Sequence, residues 1–130
     1  MKTTIHFSNP PVQSYHELEV WKKGIEIAKL TYFLTRKFPV PEKFGLVSQM
    51  RRAAVSISSN IAEGQARHTT GEFIQFISHA EGSVAELSTQ FYLSAELELL
   101  TREAAATPLH LLDELRRMLN GLRRKLARLR

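Results

Sequence analysis

The 130-residue chain carries eighteen Lys plus Arg against thirteen Asp plus Glu, for a formal charge of +5 and a pI near 9.8. It contains no Cys, which excludes disulfides, cysteine metal sites and thiol chemistry. Its apolar runs fall short of the roughly 20 residues that span a bilayer, and Met1 to Ser8 has no apolar core of a secretory signal, so the expectation is one cytoplasmic domain without a membrane segment.

Residues 1–14 show no helical period and include Pro10-Pro11, which favours an extended arm. Ser14-Tyr15-His16-Glu17 fits a capping box, in which hydroxyl and carboxylate satisfy the first free N–H groups of a helix. Leu18, Trp21, Ile25, Ala28 and Tyr32 then recur at steps of three and four and predict the apolar stripe of a first helix. Val20, Ile27, Leu30 and Leu34 lie outside that stripe and read as surplus apolar surface. Pro39 and Pro41 forbid continuation.

A second helix is predicted from about Glu42 to Glu63, with Leu46, Met50, Ala53, Ile57 and Ile61 on one face. Gly64 stands where a left-handed C-terminal cap is expected. Thr69-Thr70-Gly71-Glu72 is a second capping box, opening a third helix with Phe73, Phe76 or Ile77, Ala80, Val84, Leu87 and Phe91 inward. The fourth helix has two candidate starts, Thr101 with Pro108 inside it, or Thr107 with Pro108 at the tolerated first position. Its Leu112, Leu115, Leu119, Leu122, Leu126 and Leu129 repeat to the end of the chain. No useful strand alternation appears. The pattern predicts an all-α fold, an antiparallel up-and-down four-helix bundle over residues 15–130 with short loops and an extended N-terminal arm. Surplus apolar positions, with Gly24, Gly82 and Gly121 inside helices, fit either subunit packing or a broad monomer core.

The charge is unevenly placed. Arg116, Arg117, Arg123, Arg124, Lys125, Arg128 and Arg130 fall after Leu115 with no Asp or Glu among them, while the rest of the chain holds eleven cations against thirteen anions. The third-helix region is acidic. These seven cations are the candidate nucleic-acid-binding residues, because Arg forks suit phosphate oxygens and a basic helix binds backbones by counterion release with little sequence reading. No aromatic ring accompanies them for base stacking. An interaction scaffold whose basic helix docks an acidic protein uses the same charges, and the dipole at a helix C-terminus is a purely structural reason for some of them.

Enzyme signatures are absent. None of His6, His16, His68, His79 and His110 follows a Glu by three positions, as a di-iron bundle requires. Phosphate-loop, dinucleotide, zinc-protease and serine-elbow motifs are missing too. No metal site, cofactor or catalytic residue is therefore expected.

Gln49-Met50-Arg51-Arg52-Ala53-Ala54-Val55-Ser56-Ile57-Ser58-Ser59-Asn60-Ile61-Ala62-Glu63-Gly64 resembles the signature of the 23S rRNA intervening-sequence protein family, also called the four helix bundle protein family. Leu18-Glu19-Val20-Trp21-Lys22, Glu72-Phe73-Ile74-Gln75-Phe76, Glu81-Gly82-Ser83-Val84-Ala85-Glu86-Leu87 and Met118-Leu119-Asn120-Gly121-Leu122 resemble its other helices, in order and spacing from about Tyr15 to Lys125. The resemblance implies an up-and-down bundle, often a ring-like homopentamer, without catalytic residues and with an unsettled role. It also implies kinship with the accessory variability protein of diversity-generating retroelements, which works with a reverse transcriptase and nucleic acid, so RNA or DNA is the implied partner. It favours a fourth helix starting after Thr101. Arg51, Arg52, Asn60, Glu63 and Gly64 are the motif residues it singles out. A structural role for them is expected first, with small Ser and Ala residues allowing close helix approach and Arg52 and Glu63 available for pairing. A polar groove built on Arg51, Arg52, Asn60 and Glu63 is the second reading.

Overall fold

A computed structural model describes residues 15–129 of the chain. Four helices follow one another: α1 (Tyr15–Thr35), α2 (Leu46–Gln65), α3 (Thr70–Glu96) and α4 (Arg102–Arg128), with a single 3₁₀ turn at Val40–Glu42 between the first two. Among the described residues there is no strand. Each helix packs on its chain neighbour and α4 closes back onto α1. The expected N-terminal arm, and the Ser14 half of the first capping box, lie outside the described residues.

The helix ends follow local chemistry. Thr69 caps α3, its Oγ1 accepting from the Glu72 backbone N–H at 3.1 Å and donating to the Glu72 carboxylate at 3.0 Å. Thr101 caps α4, accepting from Ala104 N–H at 3.0 Å, so α4 starts at the earlier candidate and runs through Pro108, whose ring is buried. The second helix starts later than expected, because Pro41 and Glu42 close the separate turn first and Gly45 precedes α2.

The inward faces of α2, α3 and α4 match the sequence stripes, with Met50, Ile57 and Ile61 against Ile77, Leu87, Phe91, Leu112, Leu115 and Leu119, all fully buried, except that Leu129, expected in the α4 stripe, follows the helix end and is 70% exposed. Between the two candidates on α3, Ile77 faces the core and Phe76 is only half-buried. The first helix is turned differently. Its core face is Val20, Gly24, Ile27, Thr31 and Thr35, while Ile25 and Tyr32 of the expected stripe are 38% and 43% exposed. Two of the apparent surplus residues, Val20 and Ile27, are thus core residues. Thr31 and Thr35 can be buried because their hydroxyls donate to the carbonyls of Ile27 and Thr31, at 2.8 and 2.7 Å, within the same helix.

Close approach between helices decides that rotation. A Cβ on Gly24 would overlap the Ser58 hydroxyl and stand 3.2 Å from Ile57 Cγ2. Ser58 Oγ donates across the same crossing to the Trp21 carbonyl at 3.1 Å. Near the α1 start, Glu17 is buried and accepts from Gln65 Nε2 of α2 at 3.4 Å.

Gly64 is not a left-handed cap. It lies inside α2, and among the described residues no glycine has positive φ. A Cβ there would lie 2.7 Å from Phe73 Cδ1 and 2.9 Å from Phe76 Cβ, so the glycine lets α3 cross closely. Gly82 and Gly121, by contrast, have nothing within 4 Å of an added Cβ.

This contrast sets an expected pair of outcomes. Gly64→Ala overpacks against α3 and should cost about 1–2 kcal/mol even after the helix-propensity gain. Gly82→Ala, with open space, should stabilise by about 0.5–1 kcal/mol. Urea denaturation followed by circular dichroism measures both; a neutral Gly64→Ala would contradict the close crossing.

Candidate nucleic-acid interface

Leucines of α4 point inward, so its charges are held on the remaining surface, and there the seven candidate cations divide. Arg123 Nε donates to Glu81 Oε1 of α3 at 2.8 Å, a partly buried ion pair between helices. Arg116 and Arg117 share one carboxylate, Asp113, at 3.0 and 3.3 Å from its two oxygens. The hydrogen bond from Arg116 holds the Asp113 carboxyl below its ordinary value, against the opposing effect of desolvation, and the charge of Arg117 adds to it. Glu114 is lowered likewise by the hydrogen bond and charge of Lys23, which reaches it from α1 at 3.0 Å. A charge count that begins at Leu115 misses these anions, because Asp113 and Glu114 immediately precede it and Glu81 comes from another helix.

Arg124, Lys125 and Arg128 remain exposed, and among the described residues no carboxylate pairs with them. Arg130 lies outside the described residues. The three cations surround Gly121, whose missing side chain leaves two shallow depressions. One, of about 310 Å³, lies between α1 and α4 and is rimmed by Lys125 and Arg128 above Val20 and Leu122. The other, of about 500 Å³, is lined by Gly121, Arg124, Ala127 and Arg128. The result is a cationic rim around small concave steps.

Three of the α2 motif residues, Arg51, Asn60 and Gly64, make hydrogen bonds or close contacts within the bundle. Arg51 Nε donates to Thr35 Oγ1 at 3.0 Å and its guanidinium lies 4.5 Å from the Tyr32 ring centroid, tying α2 to α1. Asn60 Nδ2 donates to the Ser56 carbonyl and hydroxyl at 2.8 and 2.9 Å, and Ser56 meets Ser83 of α3 at 2.8 Å. Gly64 makes the α3 crossing. Glu63 and Arg52 are both exposed, and neither forms an ion pair with a neighbouring helix among the described residues. The five residues therefore do not converge on one groove.

A second basic surface escapes a count by chain end. From Lys29 to Arg52 there are six cations against one anion, Glu42. At this corner of the bundle Arg36 lies 4.6 Å from the Phe33 ring centroid and Lys43 lies 6.0 Å from that of Phe44, beside the Arg51–Tyr32 pair. The sequence signal for it is the interleaving of aromatic residues with Lys and Arg in that window.

Among the described residues no group of three or more His, Asp or Glu is placed to hold a metal, and no helix is long and apolar enough to cross a membrane. His79 is exposed, with its ring edge-on to Phe76 at 5.7 Å.

A family model described as 23S rRNA-intervening sequence protein matches residues 16–121. The chain belongs to this family. The family's bundle also appears in a solved structure, described as a protein with unknown function from the S23 ribosomal protein family of Bacteroides thetaiotaomicron VPI-5482. It is 23% identical, covers 84% of this chain and 98% of its own, and superposes with a TM-score of 0.74. That likeness shows the shared fold. No curated protein matches the chain.

The split among the cations has a measurable consequence. Arg123→Ala should lose up to about 1 kcal/mol of stability, since its pair is only partly screened, whereas Arg124→Ala should stay within about 0.5 kcal/mol of wild type. Equal effects in denaturant titration would contradict the division into structural and free cations.

Proposed function

We propose that the protein is a non-enzymatic, oligomeric four-helix bundle that binds nucleic acid through the C-terminal end of α4, by backbone contact and without sequence preference. The observation that carries this is the cluster of Arg124, Lys125 and Arg128, exposed around Gly121 and, among the described residues, without a carboxylate partner. Cations kept free of internal partners retain their full value toward phosphates, and Arg contributes bidentate contacts. Arg116 and Arg117 add one net charge, because they share Asp113. Arg123 belongs to the scaffold.

Assembly into a homo-oligomer, a pentamer in the family resemblance, is part of this proposal. Its support is the exposed apolar set Tyr92, Leu93 and Leu97 near the end of α3. Tyr92 also lines a groove of about 360 Å³ completed by Ala105, Ala106 and Leu109 of α4. The two charged residues lining the groove, Glu96 and Arg102, stand 3.7 Å apart and balance each other, so the groove itself carries no net charge. Neutral apolar surface is what copies of one chain bury against each other.

Two measurements test the proposal. In a mobility-shift series against salt with duplex RNA or DNA, replacing Arg124, Lys125 and Arg128 by Ala should flatten the slope of log K against log salt. The expected change is about 0.9 for each phosphate that is no longer neutralised; an unchanged slope would remove α4 as the site. In light scattering, wild type should exceed the chain mass of 14.8 kDa and Leu93→Glu should fall toward it. A wild-type mass of one chain would end the oligomer reading.

A further inference from the structure

We infer that the corner formed by the end of α1, the 3₁₀ turn and the start of α2 is a binding surface for single-stranded nucleic acid, taking bases on its aromatic rings and phosphates on its cations. It rests on the nucleic-acid reading above, and it names a second surface and the form of the strand.

The corner combines three things that a strand needs. The first is charge: six cations against one anion between Lys29 and Arg52 make it the other strongly basic region of the chain. The second is exposed ring surface. Phe44 is 89% exposed and Phe33 59%, with Tyr32 beside them, an unusual outlay of aromatic surface for a chain whose core is otherwise complete. The third is shape. An open groove of about 670 Å³ runs between Tyr32, Phe44 and Val55, with Lys43, Arg51 and Arg52 along it. That volume falls within the roughly 300–1,000 Å³ of small-ligand sites.

The rings are paired with cations rather than scattered. Arg51 is fixed over Tyr32 by its bonds to Thr35 Oγ1 and the Tyr32 carbonyl, at 3.0 and 3.4 Å, so that platform is preorganised. Arg36 lies over Phe33 in the same way. Aromatic faces interleaved with guanidinium groups stack bases of any sequence while neighbouring cations track the backbone. Arg52, which lines the groove and forms no ion pair among the described residues, is the phosphate contact there.

Contacts between copies are proposed instead at the end of α3, where the lining charges Glu96 and Arg102 balance each other, whereas the unbalanced cations of the corner suit a polyanion. An intact duplex keeps its base faces stacked inside, so the rings discriminate in favour of single strands.

The experiment is fluorescence anisotropy with a labelled oligothymidylate and a duplex of the same length, on the full chain. Phe44 lies outside the helices and is exposed, so its replacement leaves the core intact. Phe44→Ala should weaken single-strand binding roughly tenfold, the effect of removing one stacked base, and leave duplex affinity unchanged; Phe44→Tyr should restore it. Tyr32→Ala should act in the same direction. Single-strand affinity unchanged in both alanine variants would overturn the inference. So would a drop in affinity accompanied by a fall in mass toward 14.8 kDa in light scattering, which would make the corner an interface between copies. The Arg124, Lys125 and Arg128 alanine variant separates the two proposals. If it binds duplex like wild type while Phe44→Ala still weakens the single strand, the α4 site falls and the corner stands. If it no longer binds duplex while Phe44→Ala changes nothing, the reverse holds.

Discussion

Where α1 crosses α2, Gly24 has no side chain, and the space is filled by Ser58, whose hydroxyl donates to the Trp21 carbonyl. Much of the molecule's surface follows from this contact. It brings the backbone of α1 against α2 and fixes the rotation of α1 about its axis. With that rotation set, Val20, Ile27, Thr31 and Thr35 face the core, and Ile25, Tyr32 and Phe33 face outward. The Tyr32 ring then lies where Arg51 can cover it, and the basic corner acquires its aromatic lining. Gly64 does the same for the α2–α3 crossing by admitting Phe73 and Phe76. The bundle is therefore held in register by two absent side chains as much as by its leucines.

Electrostatics is divided along the same lines. Carboxylates at helix–helix seams take up particular cations: Glu81 takes Arg123, and Glu114 takes Lys23. Asp113 occupies two more within α4. Most of the cations that form no ion pair among the described residues lie around Gly121 on α4 and at the α1–α2 corner. If the copies close into a ring by cyclic symmetry, each group is repeated around it, and modest local charge becomes a strong field.

Local signals are legible where they are chemically complete in a few residues. The Thr69 cap, the leucine ladder of α4 through Leu126 and the inward faces of α2 and α3 can be read because side-chain oxygens and apolar periodicity carry them, whereas local signals leave the start of α4 between Thr101 and Thr107 and the fold places the cap at Thr101. The stripe of α1 misleads for a physical reason. Thr31 and Thr35 count as polar in any periodicity, yet their hydroxyls are satisfied by their own helix, so they bury at little cost. Ile25 and Tyr32 count as apolar and remain on the surface. The position of Gly64 before a turn suggests a cap, since a crossing helix is invisible in local sequence.

Composition, caps and periodicity by themselves determined an all-α bundle of four helices and the basic character of the last one, and the residue string of α2 carried the family resemblance. Only the tertiary structure decided which face of α1 is inside, which glycines make close crossings, and which cations are free. The reason is that each of these depends on partners far apart in the chain: Gly24 with Ser58, Gly64 with Phe73, Arg123 with Glu81. Periodicity registers a helix's own faces, and it takes the packed neighbour to say which of them is used.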